Sequence, residues 1–238
     1  ENGKGTKVMN NLLSSNSSNG NASAIFLDGL SAGAAIEQNR AVSQSDWPEN
    51  GIYMNNMDAL ANQPVLVANN AFKLGNPSTS NNFAALYVQN SNYVTVRGNT
   101  FAVSGTNGGA YGAYFAGGGG IKLNNNIFVN FGDGECIYIS GGSNVTSSDY
   151  NNLYSPQGDF AHFNGGVADM NAWQNSAGFD VNSQNVDPQF YSGIDYRVCN
   201  IDLDGNGQPG TGGGVDVDGE MRQSTPDIGA DEFTHPSQ

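Results

Sequence analysis

The chain has 238 residues, with 8 Lys and Arg against 22 Asp and Glu for a formal charge of −14, and 33 Gly, 34 Asn and 22 Ser. No apolar run approaches the roughly 18 residues of a membrane span, the sparse cations exclude a phosphate backbone, and so a nucleic acid, as partner, and so much Gly, Asn and Ser excludes a helical bundle. What remains is a turn-rich, acidic, mostly β protein of extracellular character, whose 10% aromatic content argues against disorder.

The chain opens on Glu1-Asn2-Gly3-Lys4-Gly5, with no initiator Met and no apolar targeting segment. It closes on Thr234-His235-Pro236-Ser237-Gln238, which reads as the start of a linker. Flanking domains of a longer polypeptide are expected on that reading.

Between these ends an apolar-x-x-Asn-x-apolar pattern recurs. It appears at Val8…Asn11…Leu13, Ile36…Asn39…Ala41, Val67…Asn70…Phe72, Val96…Asn99…Phe101 and Leu123…Asn126…Phe128. A degenerate last copy carries Asn152 and Tyr154, so the Asn spacings are 28, 31, 29, 27 and 26. Each period also holds a short alternating strand: Ile25–Leu27, Ile52–Met54, Leu86–Val88, Tyr114–Ala116 and Ile137–Ile139. No helical stretch separates them. A period near 28 with several strands predicts a solenoid whose coil has three short faces, with equivalent residues about 4.8 Å apart.

Stacked in that way, Asn39, Asn70, Asn99, Asn126 and Asn152 form a hydrogen-bonded ladder, and Asn tolerates the left-handed backbone of a sharp corner. Phe72, Phe101, Phe128 and Tyr154, two residues on, are expected to stack inward. Gly117–Gly120 reads as a tight corner.

These repeats, as in NYVTVRGNTF and GGIKLNNNIF, resemble the right-handed parallel β-helix repeat. The segments SSDYNNLYS, AWQNSAGFDVNSQNVDPQF and DVDGEMRQSTPDIGADEF resemble the terminal portion of β-helix domains in large secreted and cell-surface bacterial proteins, many from Bacteroidetes. The resemblance covers nearly the whole chain. It implies an all-β, right-handed parallel β-helix of about five coils over residues 1–160. A C-terminal cap over 161–233 packs on the same solenoid, with Asp227-Ile228-Gly229-Ala230-Asp231-Glu232-Phe233 as closing element and 234–238 beginning the linker. Trp173, inside the terminal segment, is read as packing.

Several residue sets carry candidate chemistry. Asp202, Asp204 and Asn206 alternate like the first half of a Ca²⁺ loop, with Asp216 as a ligand from the next turn; the plainer reading is a loop whose carboxylates satisfy its own backbone. Asp218, Arg222, Asp227 and Glu232 are expected to tie down the cap through a bidentate Arg–carboxylate pair. Cys136 and Cys199, 63 residues apart, either form a disulfide or remain two buried thiols. Asp133 and Glu135, two apart, would share one strand face as an acid–base pair, or simply mark a solvated corner. Arg40, Lys73, Arg97 and Lys122 fall near the Asn column and would line a face for a polyanion. Trp47 and the tyrosines are candidate sugar-stacking platforms, and His162 and His235 stand alone. No catalytic cluster is recognisable. The expected function is a non-enzymatic extracellular module, an adhesin, stalk or surface contacting glycans or cell-surface polymers. The alternatives are a polysaccharide lyase or glycoside hydrolase of β-helix type, and a fibre subunit that self-associates end to end.

Overall fold

The computed structural model describes residues 5–13, 23–29, 32–44, 50–141, 145–193 and 195–233. Among these residues, eighteen parallel strands wind in coils of three. The first coil holds β1 (Lys7–Met9), β2 (Leu12–Leu13) and β3 (Ser23–Asp28); the second β4 (Ala35–Glu37), β5 (Arg40–Ser43) and β6 (Asn50–Asn55). The third holds β7 (Val65–Ala68), β8 (Ala71–Leu74) and β9 (Phe83–Asn92); the fourth β10 (Val94–Arg97), β11 (Thr100–Val103) and β12 (Ala110–Gly119). The fifth holds β13 (Ile121–Asn124), β14 (Ile127–Asn130) and β15 (Ile137–Ser140); the sixth β16 (Val145–Asp149), β17 (Asn152–Tyr154) and β18 (Ala161–Phe163). A short β19 (Gly166–Val167) pairs antiparallel with β18. Every third strand stacks on the one before, giving three sheets and about five full turns.

Register decides what faces inward. Ile25, Ile52, Leu86, Ala113 and Ile137 are successive partners in the third sheet, as are Val88, Phe115 and Ile139. The fourth copy is therefore Ala113–Phe115, one residue before the expected Tyr114–Ala116. A slip of one exchanges the faces, and the hydroxyl-bearing Tyr takes the outer one. In the second sheet Phe72, Phe101 and Phe128 stack inside at 6.1 Å between ring centroids, but their next partner is Leu153. Tyr154 points outward to Phe131.

The corner between the first and second sheets carries the Asn ladder. Nδ2 of Asn11 donates to Oδ1 of Asn39 (2.8 Å), Asn39 to Asn70, Asn70 to Asn99, Asn99 to Asn126 (each 2.9 Å), and Asn126 to Asn151 (3.0 Å). The last rung is Asn151 rather than Asn152, because Asn152 is the partner of Ile127, one residue past the corner. Nor do the ladder residues supply the left-handed turn. Positive φ belongs to the residue before each rung: Asn10, Gln38, Asn69, Gly98, Asn125 and Tyr150.

Beyond the coils, helix α1 (Met170–Ala177) covers the end of the core. Asp169 caps it by accepting from the Ala172 amide, and Gly178 ends it in the left-handed region. Its Trp173 is fully buried against Phe163 and donates from Nε1 to Asp180 at 2.8 Å. Asp180 also accepts from Asn151 Nδ2 (2.9 Å), Ser148 and Ser183, so a carboxylate terminates the ladder.

Residues 186–233 do not cap the end; they meander along the flank. Val186 binds Asn152 in the sixth coil, and Tyr196 reaches Arg40 in the second. The chain returns to Asn125 at Gln208, goes out again to Gln38 at Asp216, and comes back to Asn125 at Gly229. Val198, Leu203 and Ile228 pack on the outer residues Ala102, Ile127 and Val129 of the second sheet, which is buried on both faces as a result.

Candidate functional site: an aromatic face on the third sheet

The third sheet is left uncovered by that meander, and its outer face carries one aromatic residue per coil. Phe26, Tyr53, Tyr87, Tyr114, Tyr138 and His162 are direct strand partners in sequence. Parallel strands hold equivalent side chains close enough for rings to stack. Tyr53–Tyr87 (4.7 Å), Tyr114–Tyr138 (4.7 Å) and Tyr138–His162 (4.0 Å) lie face to face within 14° of parallel. Rings stacked in this way spend their faces on one another. The stack breaks between Tyr87 and Tyr114, where the rings meet at 74°.

Tyr111 stands beside that break, 5.0 Å from Tyr114 and 5.2 Å from Tyr138. Together Tyr87, Tyr111 and Tyr114 wall a cleft of about 270 Å³, closed by Asn50, Asn82, Phe83 and Gly109. The Asn50 oxygen accepts from the Ala84 amide, and the Asn82 oxygen from Asn107. Among the described residues no hydrogen bond from either Nδ2 is present. A Cβ at Gly109 would fall 2.1 Å from the Asn82 side-chain oxygen, so a larger residue there would displace the Asn82 amide from the cleft wall.

Glu135 sits at the far side of Tyr111, buried at 8% exposure, with Oε1 4.0 Å from Nδ1 of His162. Burial, and then Asp159, push its carboxyl above the usual range. Burial and the Glu135 charge push the Tyr111 hydroxyl up to about 12. Asp133 is exposed while Glu135 is buried, and both lie in the turn before β15 rather than on a strand. The expected same-face pair is therefore not formed.

The other predicted sets serve architecture. Arg222 is buried and donates to Glu232 (3.2 Å), to Oδ1 of Asn69 and to the carbonyls of Asp227 and Gly229. Its contact with Glu232 is through one guanidinium nitrogen, so the pair is not bidentate. Asp227 accepts from the Gly205 and Phe233 amides, both at 2.6 Å. Asp218 belongs elsewhere: it pairs with Arg40 at 2.7 Å and accepts from Tyr196.

The Ca²⁺ grouping does not assemble. Asp216 accepts the amides of Asp218, Glu220 and Glu232, and Asn206 donates to the carbonyls of Asp202 and Asp204. The loop's polar groups satisfy its own backbone. Cys136 and Cys199 are both free, the first buried with its thiol on the Phe160 carbonyl, the second exposed. Their environments lie on different layers, so no disulfide joins them. Arg97 and Lys122 belong to the first sheet, whereas Arg40 and Lys73 belong to the second and bind the meander, Lys73 through the carbonyls of Ser192 and Asp195. No cationic groove shared by these four results. Trp47, Lys4, His235 and 234–238 lie outside the described residues.

The aromatic column was within reach of sequence reading. The centre of every alternating triplet, as in Ile-Phe-Leu, Ile-Tyr-Met, Leu-Tyr-Val and Ile-Tyr-Ile, is aromatic. Attention to the apolar partners on either side hides it.

The fold defines a parallel β-helix module whose core end is covered by helix α1. Residues 4–158 match the family described as periplasmic copper-binding protein (NosD), and the chain belongs to that family. No curated protein and no solved structure matches the chain. Among the described residues no helix is long and apolar enough to cross a membrane.

Copper is held by thiolate, thioether or imidazole groups that converge. Among the described residues no three His, Cys, Asp or Glu side chains do so. Cys136 and the core methionines Met54 and Met57 are fully buried, and His162 is stacked on Tyr138. The His, Cys, Asp and Glu side chains of the described residues therefore offer no three-ligand copper site.

Proposed function

We propose that the protein is a non-enzymatic β-helix module that contacts glycans at the third-sheet cleft, as the adhesive or stalk portion of a larger surface polypeptide. The observation that carries this reading is the break in the aromatic stack. It frees ring surface of Tyr87, Tyr111 and Tyr114 beside the amides of Asn50 and Asn82. Sugar rings are recognised by this combination, apolar C–H faces on aromatic rings with amide donors to hydroxyls. The cations of the described strands are committed to the meander or scattered over two sheets, which leaves no array to bind a uronate polymer as a lyase would.

A glycan array probed with the protein, followed by calorimetry with Tyr111→Ala, tests it. Binding to at least one oligosaccharide class is expected, with affinity falling about tenfold in the variant while it still unfolds cooperatively, at a melting temperature lowered by the loss of its contacts with Tyr114 and Tyr138. Absence of binding to every glycan would overturn the reading. Release of new reducing or unsaturated ends from a polysaccharide would replace it with an enzymatic one.

A further inference from the structure

The meander leaves a gap against the second sheet. Lys73 and Ala102 are register partners on the outer face of that sheet, and the small Ala102 side chain leaves room beside the long one. Between the sheet and residues 187–193 lies a cavity of about 410 Å³, larger than the third-sheet cleft. Val103, Phe131 and Phe190 give it apolar walls, the two rings meeting edge to face at 6.0 Å. Lys73 and Ser104 line it as well. Apolar walls with a few fixed polar groups are what a small organic ligand occupies.

The cation in that wall lacks a counter-ion. Nζ of Lys73 donates to the carbonyls of Ser192 (2.8 Å) and Asp195 (3.3 Å) and stands 4.5 Å from the centre of the Phe190 ring. Ser192 and Phe190 are themselves cavity residues, which places the ammonium at the cavity wall. An ammonium has three protons to donate, so one remains. Among the described residues no Asp or Glu pairs with it. Asp195, whose charge reaches it, is held in a two-pronged pair with Arg197. Burial pulls the Lys73 ammonium below its ordinary value, as expected of a charge whose lost hydration is only partly replaced. Asp187 also lines the cavity, but its charge is felt by Tyr154, which packs on Phe131, and not by Lys73.

We infer that this cavity binds a small carboxylic acid with an apolar body, its carboxylate on the Lys73 ammonium and its body against Val103, Phe131 and Phe190. A carboxylate supplies the charge-assisted hydrogen bond that the third ammonium proton lacks. One cation between apolar walls selects a compact monoanion. The site lies on the second sheet, away from the cleft of the third, so it stands or falls independently of the glycan reading.

Calorimetry at neutral pH with 3-phenylpropionate, 3-phenylpropionamide and galacturonate tests it. The acid is expected to bind with a Kd of about 1 mM or tighter. The amide, alike in shape but uncharged, should bind at least about tenfold more weakly, with the gap shrinking as salt is raised. Galacturonate has the charge without the apolar body and should bind no better than the amide. Mass-spectrometric mapping of lysine acetylation locates the contact: 3-phenylpropionate should protect Lys73 and leave Lys7 and Lys122 as reactive as before. Lys73→Met should bring acid and amide to within about threefold. Should loss of the Ser192 and Asp195 contacts unfold that variant, Ser104→Trp fills the cavity with Lys73 still in place and should abolish binding of the acid. Equal binding of acid and amide, no binding of the acid up to about 10 mM, or binding without protection of Lys73 would each overturn the inference.

Discussion

Two amide columns run side by side at one corner of this molecule, and they do opposite things. The ladder amides point inward. Each Oδ1 accepts from both the amide nitrogen and the backbone N–H of the rung before, and each Nδ2 also reaches a carbonyl one coil back, as Asn99 does at Val67 (2.9 Å). At three coils the residue before the rung docks the meander: Gln38 to the Asp216 carbonyl, Asn69 to Val215, Asn125 to Thr211. At the fourth coil this position is Gly98, where a Cβ would sit 2.9 Å from Asn69 and 3.3 Å from the Arg222 guanidinium. Removing a fully buried rung leaves donors and acceptors stranded on both neighbours. Asn99→Ala should therefore lower unfolding free energy by about 2–4 kcal/mol in a urea titration, and Asn69→Ala by only about 1. Equal losses would refute the distinction. The ladder was legible in the sequence because its spacing repeats. Its last rung was not, since Asn151 and Asn152 are adjacent and only strand register separates them. The thiols give a second test at this scale. A thiol reagent should titrate Cys199 in the native protein and Cys136 only after unfolding, because burial raises the Cys136 thiol well above its ordinary value.

The meander is the element whose stability depends most on pH. Asp227 and Asp231 are buried, and desolvation pushes both carboxyls up to about 7, with Asp218 and Asp216 adding repulsion at Asp231. A carboxyl whose folded value is raised stabilises the fold fully below its unfolded value near 3.8, and that contribution is lost as pH rises through about 7. Asp227 recovers part of its cost from two backbone amides, whereas among the described residues no hydrogen bond to the Asp231 carboxylate is present. Asp231→Asn should accordingly match the parent near pH 4 and melt at a higher temperature by pH 7.5. A constant difference across that window would contradict the assignment. The sequence groups Arg222 with Glu232, and the two meet through one guanidinium nitrogen at 3.2 Å. It also grouped Asp218 with them, which proximity in the chain suggested and the hairpin between Val215 and Met221 undoes by turning Asp218 toward Arg40.

At the scale of the whole molecule, the three sheets have separate duties. The first and second meet at the ladder, the second is sealed by the meander, and the third keeps its aromatic face. Ile228 lies fully buried on Ile127 and Val129. Ile228→Asp should loosen that seal, expose the apolar outer surface of the second sheet and raise binding of a hydrophobic dye, with the third-sheet aromatic stack unaffected. Unchanged dye binding would show the seal to be dispensable. The solenoid was readable from periodicity alone, because parallel coils repeat what they bury. The meander repeats nothing, and its contacts span more than a hundred residues, as from Arg40 to Asp218. No local pattern announces them.

The same meander acts as a measuring tape. It is tied at Val186 to Asn152 in the sixth coil and at Asp218 to Arg40 in the second. Each coil adds about 4.8 Å along the axis. A coil gained by duplication or lost by deletion between those ties would displace one anchor from the other by that amount, more than a hydrogen bond or an ion pair can stretch. Repeat proteins ordinarily drift in length because each unit touches only its neighbours. Here the tail ties the number of coils to its own length between its anchors, Asn152 and Arg40.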